Sequence, residues 1–320
     1  MTRVLAVIPS RFGSSRLPGK PLLPMLGGAP MIAHVVRAAL NARSVNRVLV
    51  ATDHEEIAAA AERAGAEAVM TDSEIETGTD RVAAAMRITQ ASADVVVNVQ
   101  GDEPLIEPQS IDLAAQLLID RPSADIATLS APLPLAALLD PSKVKVVCSP
   151  RAGNADAQAT PACADALFFS RGPIGVDRDT LLGLLCPPKL EEPHANSDGS
   201  SLSSGGANGD AARMAAPAVL TPSHAYACRL HVGLYAFRPA SLLQFVELPP
   251  SRLERLERLE QMRALESGMR IVVGEVNHVS RGVDTLDDLR ALEQQWRDDG
   301  SLRESLEAWL AAHGYASNAR

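Results

Sequence analysis

An apolar run near the start of the chain leads directly into a loop that carries three cations. Residues 4–8 read Val-Leu-Ala-Val-Ile, and Arg11, Arg16 and Lys20 follow shortly after them. A short apolar run that ends at turn-forming residues is typical of a strand buried in a parallel sheet. The positions after it are too rich in Gly and Pro for a helix, so the sequence predicts a polar loop at the end of a buried strand.

The alternation of strands and helices continues through the first hundred or so residues. Further strands are predicted at 47–52, 66–70 and 94–100, and helices are predicted to begin at Pro30, at Asp53 and near Asp80. Asp53 followed by Glu56 has the spacing of a capping box, and Gly65 is placed to end that helix. The resulting order, β-α-β-α-β-α-β, predicts an α/β fold with a doubly wound, mostly parallel sheet.

The second half of the chain is more mixed and contains a long polar segment. Strands are predicted at 125–131, 144–148, 166–169, 230–237 and 270–276, and helices at 252–266, 285–297 and 302–312. Residues 196–210 hold almost no large apolar side chains, so burial does not offset the entropy of ordering them. We therefore predict a disordered insertion at about 187–223 inside a single domain that spans residues 1–320, with the mixed elements forming a smaller lobe.

Composition and charge exclude several classes of partner. The net charge is −9 at pH 7, which leaves no general basic field for binding nucleic acid. No apolar run approaches the roughly 20 residues of a membrane span, and no secretory signal pattern is visible at the start. The four cysteines are too widely spaced for a zinc site and predict reduced thiols. We expect a cytoplasmic protein that binds any anionic substrate through local cations.

The cationic loop is well placed to bind phosphate groups. Ligands of open α/β sheets bind at the carboxyl ends of the strands, where this loop is predicted to lie. Gly13 and Gly19 permit close approach of backbone N–H groups to phosphate oxygens. The spacing differs from that of a Walker A loop, in which the two glycines are separated by four residues and are followed by Lys and Ser or Thr. The alternative interpretation is a surface loop with solvated cations.

A carboxylate is predicted at the same edge of the sheet. Residues 98–104 read Asn-Val-Gln-Gly-Asp-Glu-Pro, so Asp102 follows a buried strand after a Gly turn. Mg²⁺ prefers one or two carboxylates together with phosphate oxygens, which makes a metal ligand one interpretation of Asp102. A residue that caps a turn or the next helix is the other interpretation. Asp284 precedes an amphipathic helix, and its simplest interpretation is a helix N-cap.

These motifs together resemble one enzyme family. Residues 8–22, Ile-Pro-Ser-Arg-Phe-Gly-Ser-Ser-Arg-Leu-Pro-Gly-Lys-Pro-Leu, are similar to the signature of the sugar-activating cytidylyltransferases, with Ser10 in place of the usual Ala. Gln-Gly-Asp-Glu-Pro at 100–104 and Gly-Val-Asp-Thr at 282–285 extend the resemblance, which is strongest to the 3-deoxy-manno-octulosonate (Kdo) cytidylyltransferases. The resemblance implies a fold like that of the nucleotide-diphospho-sugar transferases, with a smaller lobe that forms a homodimer.

The resemblance also implies a reaction and a set of residues. The reaction couples CTP to Kdo and gives CMP-Kdo and pyrophosphate for lipopolysaccharide synthesis, with Mg²⁺ held by Asp102 and Asp284. The implied catalytic residues are Arg11, Arg16, Lys20 and Asp102. The implied nucleotide-binding residues are Ser10, Arg11, Gly13, Lys20, Arg81 and Gln100. The implied sugar-binding residues are Gln100, Arg171, His231, Tyr235, Glu260 and Gln261.

Several of these positions also have simpler interpretations. A lone histidine on an apolar strand, such as His231, is more often a hydrogen-bonded core residue. Arg81 has the position of an exposed residue in the first turn of a helix. Glu260 and Gln261 continue a dense Glu/Arg pattern that favours a solvated helix face, because oppositely charged residues three or four apart pair there.

The chain departs from the family pattern at two places. Asp80 stands where the family has the longer Glu. Leu230 stands where the family has Arg, and Arg229 lies one position earlier. A shift of one position on a strand turns a side chain to the opposite face, so the role of that family arginine is not assigned to Arg229.

Two other functions fit parts of the sequence. The first is a related transferase that activates a sialic acid or another sugar acid, and the Kdo-type matches at His231 and at Glu260 with Gln261 argue against it. The second is a nucleotide-binding regulatory module without catalysis, and the presence of both metal-binding carboxylates argues against that. Pyrophosphate release from CTP with different sugar acids distinguishes the three.

Overall fold

The computed structural model describes residues 2–13, 17–25, 27–149, 164–185, 227–277, 279–280 and 282–315, except the side chains of 300–303 and 305. Arg16 and the insertion predicted at 187–223 lie outside the described residues. The predictions for these two features therefore remain predictions.

The first half of the chain forms the predicted alternation of strands and helices. Its strands are β1 (Val4–Ser10), β2 (Pro24–Met25), β3 (Ala29–Pro30), β4 (Val45–Thr52), β5 (Glu67–Met70) and β6 (Val95–Asn98). Its helices are α1 (Met31–Asn41), α2 (Glu55–Arg63), α3 (Gly78–Thr89) and α4 (Pro108–Asp120). A short 3-10 turn, Lys20–Leu22, follows the cationic loop.

The second half supplies further strands and a series of shorter helices. The strands are β7 (Ile126–Ala131), β8 (Lys145–Cys148), β9 (Ala164–Ser170), β10 (Arg229–Phe237) and β11 (Ile271–Glu275). The helices are α5 (Arg178–Leu185), α6 (Pro239–Glu247), α7 (Arg252–Glu257), α8 (Gln261–Glu266), α9 (Leu286–Asp298) and α10 (Gly300–Ala312). None of the helices in the described ranges is long and apolar enough to cross a membrane.

The described strands form one nine-stranded sheet and a separate β2–β3 pair. The order in the large sheet is β5-β4-β1-β6-β10-β7-β11-β9-β8. The first four strands are parallel, as predicted, whereas β10 runs antiparallel to both β6 and β7. The predicted parallel arrangement therefore holds for the first half, and the second half is mixed, because β11 is parallel to β7 whereas β8, β9 and β10 form antiparallel pairs. An apolar run predicts that a strand is buried, but it does not determine the direction of that strand.

Strand β1 lies between two helical layers. Val4, Ala6 and Ile8 pack in a core cluster with residues of α1 and α4, whereas Leu5 and Val7 pack in a second cluster with residues of α3 and α6. Alternate side chains of a strand point to opposite faces, so a strand covered on both faces is apolar throughout. The first polar positions after this run are therefore those at the carboxyl end of β1.

Two local predictions in the chain are wrong. The capping box expected for Asp53 and Glu56 does not form, because α2 begins at Glu55 with His54 as its N-cap and no side-chain cap bond. The single helix expected over 252–266 is two short helices, α7 and α8, separated at Arg258, which has a φ of +54°. The second departure places Glu260 and Gln261 at the candidate site.

Candidate active site

A glycine brings the turn after β6 against the end of β1. A Cβ atom on Gly101 would lie 2.7 Å from the carbonyl oxygen of Pro9, a separation that side chains do not tolerate. Only glycine therefore permits this close approach of two backbone segments. As a result, Asp102 lies beside the cationic loop at the carboxyl edge of the sheet.

Lys20 joins the two predicted metal-binding carboxylates. Its ammonium group lies 3.0 Å from Oδ2 of Asp102 and 3.3 Å from Oδ1 of Asp284. The loops that carry these aspartates are also joined through the backbone, since the N–H of Val283 donates to the carbonyl of Asp102 at 2.9 Å. The structure thus brings together one lysine and two carboxylates from three distant parts of the chain.

A cavity of about 280 Å³ lies over these groups. Its lining includes every described residue that the resemblance implied for the nucleotide, namely Ser10, Arg11, Gly13, Lys20, Arg81 and Gln100. Asp102 and Asp284 line the same cavity, which therefore combines cations, backbone turns and two carboxylates. This combination is suited to a polyphosphate, because the cations offset its charge and the carboxylates can hold a divalent cation between them and the phosphates.

Arg81 is a buried part of this cavity. Its guanidinium donates to Oγ1 of Thr71 at 2.6 Å and to the carbonyl of Ile75 at 3.0 Å, and it lies 3.5 Å from Oδ2 of Asp53. Burial lowers the pKa of Arg81, and the neighbouring Asp53 carboxylate opposes that shift. The interpretation of Arg81 as an exposed helix residue is wrong, because the helix turns this side chain into the protein.

Asp53 links Arg81 to the cationic loop and was missed by the sequence analysis. Besides its contact with Arg81, its Oδ1 accepts the backbone N–H of Phe12 at 2.9 Å. The next residue, His54, stacks on the ring of Phe12 with 4.1 Å between the ring centroids. The start of the loop is therefore attached to the carboxyl end of β4 by a hydrogen bond and a ring contact. The sequence Thr52-Asp53-His54 after a buried strand indicated only that Asp53 caps a helix.

A second cavity, of about 470 Å³, adjoins the first. Gly78, Gln100, Asp102 and Asp284 line both cavities. The second cavity is also lined by four of the residues implied for the sugar, which are Arg171, Tyr235, Glu260 and Gln261. With Gln100, the structure brings together five of the six residues in that set, although they come from widely separated segments.

His231 is the member of the sugar set that does not line the cavity. Its Nε2 lies 3.0 Å from Oγ1 of Thr128, and its ring packs edge-on against Phe169 and beside Tyr235. Burial lowers the pKa of His231 to about 3, so the imidazole is neutral near pH 7. The sugar contact expected for His231 therefore stays a prediction, and in the structure its ring lies 5.5 Å from that of Tyr235.

Glu260 and Gln261 reach the cavity because the chain breaks between α7 and α8. Oε2 of Glu260 accepts a hydrogen bond from Oγ1 of Thr79 at 2.9 Å, and burial raises the pKa of the carboxyl group. Nε2 of Gln261 is buried and has no hydrogen-bond partner among the described residues. The interpretation of these positions as a solvated helix face is wrong, since Gln261 is only 6% exposed.

Burial also affects Tyr235, which lines the same cavity. The pKa of its phenol is raised by burial and, to a lesser extent, by the carboxylate of Glu260. The phenol is therefore a hydrogen-bonding group rather than an acid near neutral pH.

The guanidinium of Arg171 donates hydrogen bonds to backbone carbonyls around this cavity. Its Nε donates to the carbonyl of Glu257 at 2.9 Å, and one terminal nitrogen donates to the carbonyl of Pro141 at 3.1 Å. The other terminal nitrogen lies 3.5 Å from the carbonyl of Arg258. Arg171 thus organises the wall of the second cavity as well as lining it.

Two departures from the family pattern have structural explanations. Oδ2 of Asp80 accepts a hydrogen bond from Oγ1 of Thr77, which itself caps α3, so the short carboxylate stays at the helix start. Arg229 donates to Oγ of Ser130 at 3.1 Å and lies 3.6 Å from Glu275. Neither Asp80 nor Arg229 lines the two cavities.

Glu103 is a further cavity residue that the sequence analysis did not assign. It directly follows Asp102 in the Gln-Gly-Asp-Glu-Pro motif, and its Oε2 accepts a hydrogen bond from Oγ of Ser280 at 2.6 Å. Burial raises the pKa of Glu103 to about 7, and the adjacent Asp102 carboxylate adds to the shift. The Gln-Gly-Asp-Glu-Pro motif is the sequence feature that could have identified Glu103 as a site residue.

Comparisons with known proteins point to the same enzyme family as the sequence motifs. The model of a cytidylyltransferase family matches residues 5–271. The chain is 38% identical over 299 residues to a 3-deoxy-manno-octulosonate cytidylyltransferase of Bdellovibrio bacteriovorus, covering 93% of this chain and 99% of that protein. It is 43% identical over 289 residues to the protein of the same name from Anaeromyxobacter sp. (strain Fw109-5), covering 90% of this chain and 95% of the relative.

Solved structures give the same result for the fold. A structure described as CMP:2-keto-3-deoxy-manno-octonic acid synthetase complexed with CTP has a TM-score of 0.71 and 33% identity, covering 93% of this chain and 99% of that chain. A cytidylyltransferase from Leptospira borgpetersenii has a TM-score of 0.53 at 14% identity, covering 100% of this chain and 99% of that chain. At that identity, the second likeness concerns the fold alone.

Proposed function

The chain belongs to the 3-deoxy-manno-octulosonate cytidylyltransferase family, and we propose that it transfers the cytidylyl group of CTP to Kdo, with release of pyrophosphate. The observation that carries this proposal is the pair of adjoining cavities that share Gln100, Asp102 and Asp284. One cavity carries the cations suited to a triphosphate, and the other carries polar groups suited to a sugar acid. A reaction at their junction joins a nucleotide to a sugar.

The proposed chemistry is an in-line displacement at the α-phosphorus of CTP. The anomeric hydroxyl of the sugar forms the new P–O bond and gives up its proton to water, and the bond from the α-phosphorus to the pyrophosphate oxygen breaks, with the electron pair leaving on pyrophosphate. Arg11 and Lys20 line the first cavity and would hold the triphosphate and the departing pyrophosphate. Catalysis of this type depends mainly on positioning and on stabilising the charge that develops on the phosphate oxygens.

We propose that Asp102 and Asp284 hold Mg²⁺. The residues fit this ion, because two carboxylates supply the hard oxygen ligands that Mg²⁺ prefers. The geometry also fits, since the two carboxylates already share one cation, the Lys20 ammonium. When bound, Mg²⁺ would neutralise phosphate charge and lower the pKa of a coordinated hydroxyl. The protein's own part is to hold both carboxylates in place through the backbone bond from Val283 to Asp102.

The second cavity would select and orient the sugar. Gln261 presents a buried amide donor, and Tyr235 presents a phenol that stays protonated. A buried donor without a partner favours a substrate with an acceptor at that point, because leaving the donor unpaired costs free energy. Hydroxyl groups of a sugar acid satisfy this requirement.

The remaining family properties are part of the proposal. They are a homodimer formed through the smaller lobe, a place in the synthesis of lipopolysaccharide precursors and a cytoplasmic location. The family resemblance supports each of them.

A pyrophosphate-release assay tests the proposed function. The protein is incubated with CTP, Mg²⁺ and either Kdo, N-acetylneuraminate or no sugar, and UTP replaces CTP in a parallel series. Of these mixtures, we expect only the one that contains both CTP and Kdo to release pyrophosphate. Release with N-acetylneuraminate instead would favour the related transferase, and nucleotide binding without release would favour the regulatory module.

A further inference from the structure

The break between α7 and α8 occurs at a residue with an unfavourable backbone conformation. Arg258 has φ of 54° and ψ of 49°, which is the left-handed helical region. A residue with a Cβ atom adopts this region at a cost in energy, and the sequence around it contains no glycine or proline that would predict a break. Such strain persists where the surrounding structure imposes it, and it is concentrated at functional sites.

Contacts on both sides of the break impose this conformation. Arg171 binds the carbonyls of Glu257 and Arg258, at 2.9 Å and 3.5 Å. The ion pair between Glu254 of α7 and Arg263 of α8, at 2.7 Å, joins the two short helices, and both side chains are largely buried. The break is therefore a defined part of the fold rather than frayed helix.

The break places a cation on the wall of the second cavity. Arg258 lines that cavity together with Glu260 and Gln261, and its side chain is exposed. Within the described part of the chain, its guanidinium forms no hydrogen bond or ion pair. A continuous helix over 252–266 would have given Arg258 a regular helical backbone in place of this left-handed turn.

Carboxyl groups outnumber cations in the lining of the second cavity. Its carboxyl groups are Asp102, Glu103, Glu260 and Asp284, and its cations are Arg171 and Arg258. Three of the five N–H groups of Arg171 are directed at backbone carbonyls, whereas the Arg258 guanidinium is exposed, so Arg258 is the more accessible of the two cations. An anionic ligand in such a cavity requires a cation close to its charge.

We propose that Arg258 binds the carboxylate of the sugar acid and thereby selects for an acidic sugar. This inference rests on the proposed function, because it concerns the substrate of the same site. A guanidinium fork matches the geometry of a carboxylate and can donate two parallel hydrogen bonds to it. The strained turn would then serve to present this fork at the wall of the cavity.

The test compares four variants in the full chain. Arg258→Met removes the charge, Arg258→Lys keeps a charge without the fork, and Arg258→Gly removes the side chain while favouring the left-handed turn. Arg252→Met is the matched control, because Arg252 is an exposed arginine on α7 that does not line the cavity. The substrates are CTP with Kdo or with the Kdo carboxamide, which lacks the negative charge.

We expect Arg258→Met and Arg258→Gly to raise the KM for Kdo by about tenfold or more, with the KM for CTP unchanged, as for loss of a hydrogen bond to a charged group. Both variants should also lose the preference of the native protein for Kdo over its carboxamide, and Arg258→Lys should retain part of it. Arg252→Met should behave as the native protein does.

Two results would overturn the inference. One is a native KM for Kdo in both Arg258→Met and Arg258→Gly, and the other is an unchanged preference for Kdo over the carboxamide in these variants. Absence of pyrophosphate release by the native protein with Kdo would instead overturn the proposed function, so the two failures are distinguishable. Arg258→Gly keeps the test valid if Arg258→Met folds poorly.

Discussion

The ammonium group of Lys20 lies 3.0 Å from Oδ2 of Asp102, at the point where the loop after β1 meets the turn after β6. The Lys20 side chain is only 11% exposed, whereas the Asp102 side chain is 42% exposed. The lysine is therefore fixed within the protein, while the carboxylate remains accessible to a ligand. This arrangement gives Lys20 two tasks, since it offsets the charge of Asp102 and Asp284 and it lines the cavity proposed for the triphosphate.

Replacing Lys20 should reduce turnover more than it reduces stability. We expect Lys20→Met to lower kcat about 100-fold or more, because a preorganised charge at a phosphoryl group contributes on that scale. Lys20→Arg should restore little, because a planar fork does not replace a compact ammonium group. Initial rates of pyrophosphate release measure the effect, and Lys143→Met, at an exposed lysine, is the control. Near-native turnover in Lys20→Met would contradict this role.

Asp53 should affect nucleotide binding although it does not line the cavity. Asp53→Asn keeps an acceptor for the Phe12 N–H but removes the charge next to Arg81, and Asp53→Ala removes both. We expect both variants to raise the KM for CTP, with the larger effect in Asp53→Ala. The expected loss of stability is about 1–3 kcal/mol, because Arg81 keeps its bonds to Thr71 and Ile75.

The measurements for Asp53 are the KM for CTP, the KM for Kdo and a urea unfolding curve. Asp120→Asn, at an exposed carboxylate on α4, provides the control. An equal rise in both KM values would indicate a general folding defect and would contradict a specific role in positioning the loop.

Replacing Gln261 should weaken the binding of the sugar without weakening the binding of CTP. Nε2 of Gln261 is buried without a partner in the described ranges, so the amide is available to a substrate. We expect Gln261→Ala to raise the KM for Kdo by roughly tenfold or to lower kcat, as for a hydrogen bond worth about 1.5 kcal/mol. Steady-state kinetics with each substrate varied in turn separates the two effects. Gln116→Ala, at an exposed glutamine of α4, should change neither.

The lowered pKa of His34 predicts that the folded protein loses stability in mild acid. This histidine is fully buried on α1, and burial together with the nearby charge of Arg37 lowers its pKa from 6.5 to about 4. The unfolded chain therefore binds a proton more readily than the folded protein does. The stability linked to this group is present above pH 6.5 and is lost as the pH falls towards 4, to a total of about 3 kcal/mol.

Urea unfolding at several pH values between 7.5 and 4 measures this effect. The slope of the unfolding free energy against pH should be smaller in His34→Gln than in the native protein, because glutamine does not titrate. Identical slopes would show that His34 does not carry the predicted shift.

The sequence predicted the elements that local pattern determines. The apolar run at 4–8 predicted β1, because a strand covered on both faces has no polar positions. The Gly turn after a buried strand predicted that Asp102 lies at the carboxyl edge of the sheet, and the close approach of Gly101 to Pro9 agrees with that position. These features depend on short segments, and the structure agrees with them.

Other features depend on contacts between distant segments, and local pattern failed there. Asp53 and Glu56 have capping-box spacing, but Asp53 instead binds Phe12 and Arg81 from other elements. The Glu/Arg pattern at 252–260 favours a continuous helix, and the break at Arg258 arises from bonds made by Arg171, which lies more than 80 residues earlier. Tertiary partners overrode helix propensity in both cases.

The two candidate sugar residues on β10 illustrate the same limit. The pairing of β10 with β7 shifts register between Val232 and Tyr235, an irregularity that the sequence does not show. Tyr235 lines the cavity, whereas His231 bonds to Thr128 within the sheet. A bulge re-aims side chains along a strand, so residues at alternate positions do not all face the same side.

We propose that Asp102 and Asp284 act as one unit that holds a single Mg²⁺. A double-mutant cycle on kcat tests this shared role, with Asp102→Asn, Asp284→Asn and the double variant assayed at saturating Mg²⁺ and with circular dichroism as the control for folding. We predict that each single variant nearly abolishes turnover and that the double variant is little worse than either, because residues that act together are not additive. Fully additive effects, or near-native turnover in either single variant, would contradict the claim.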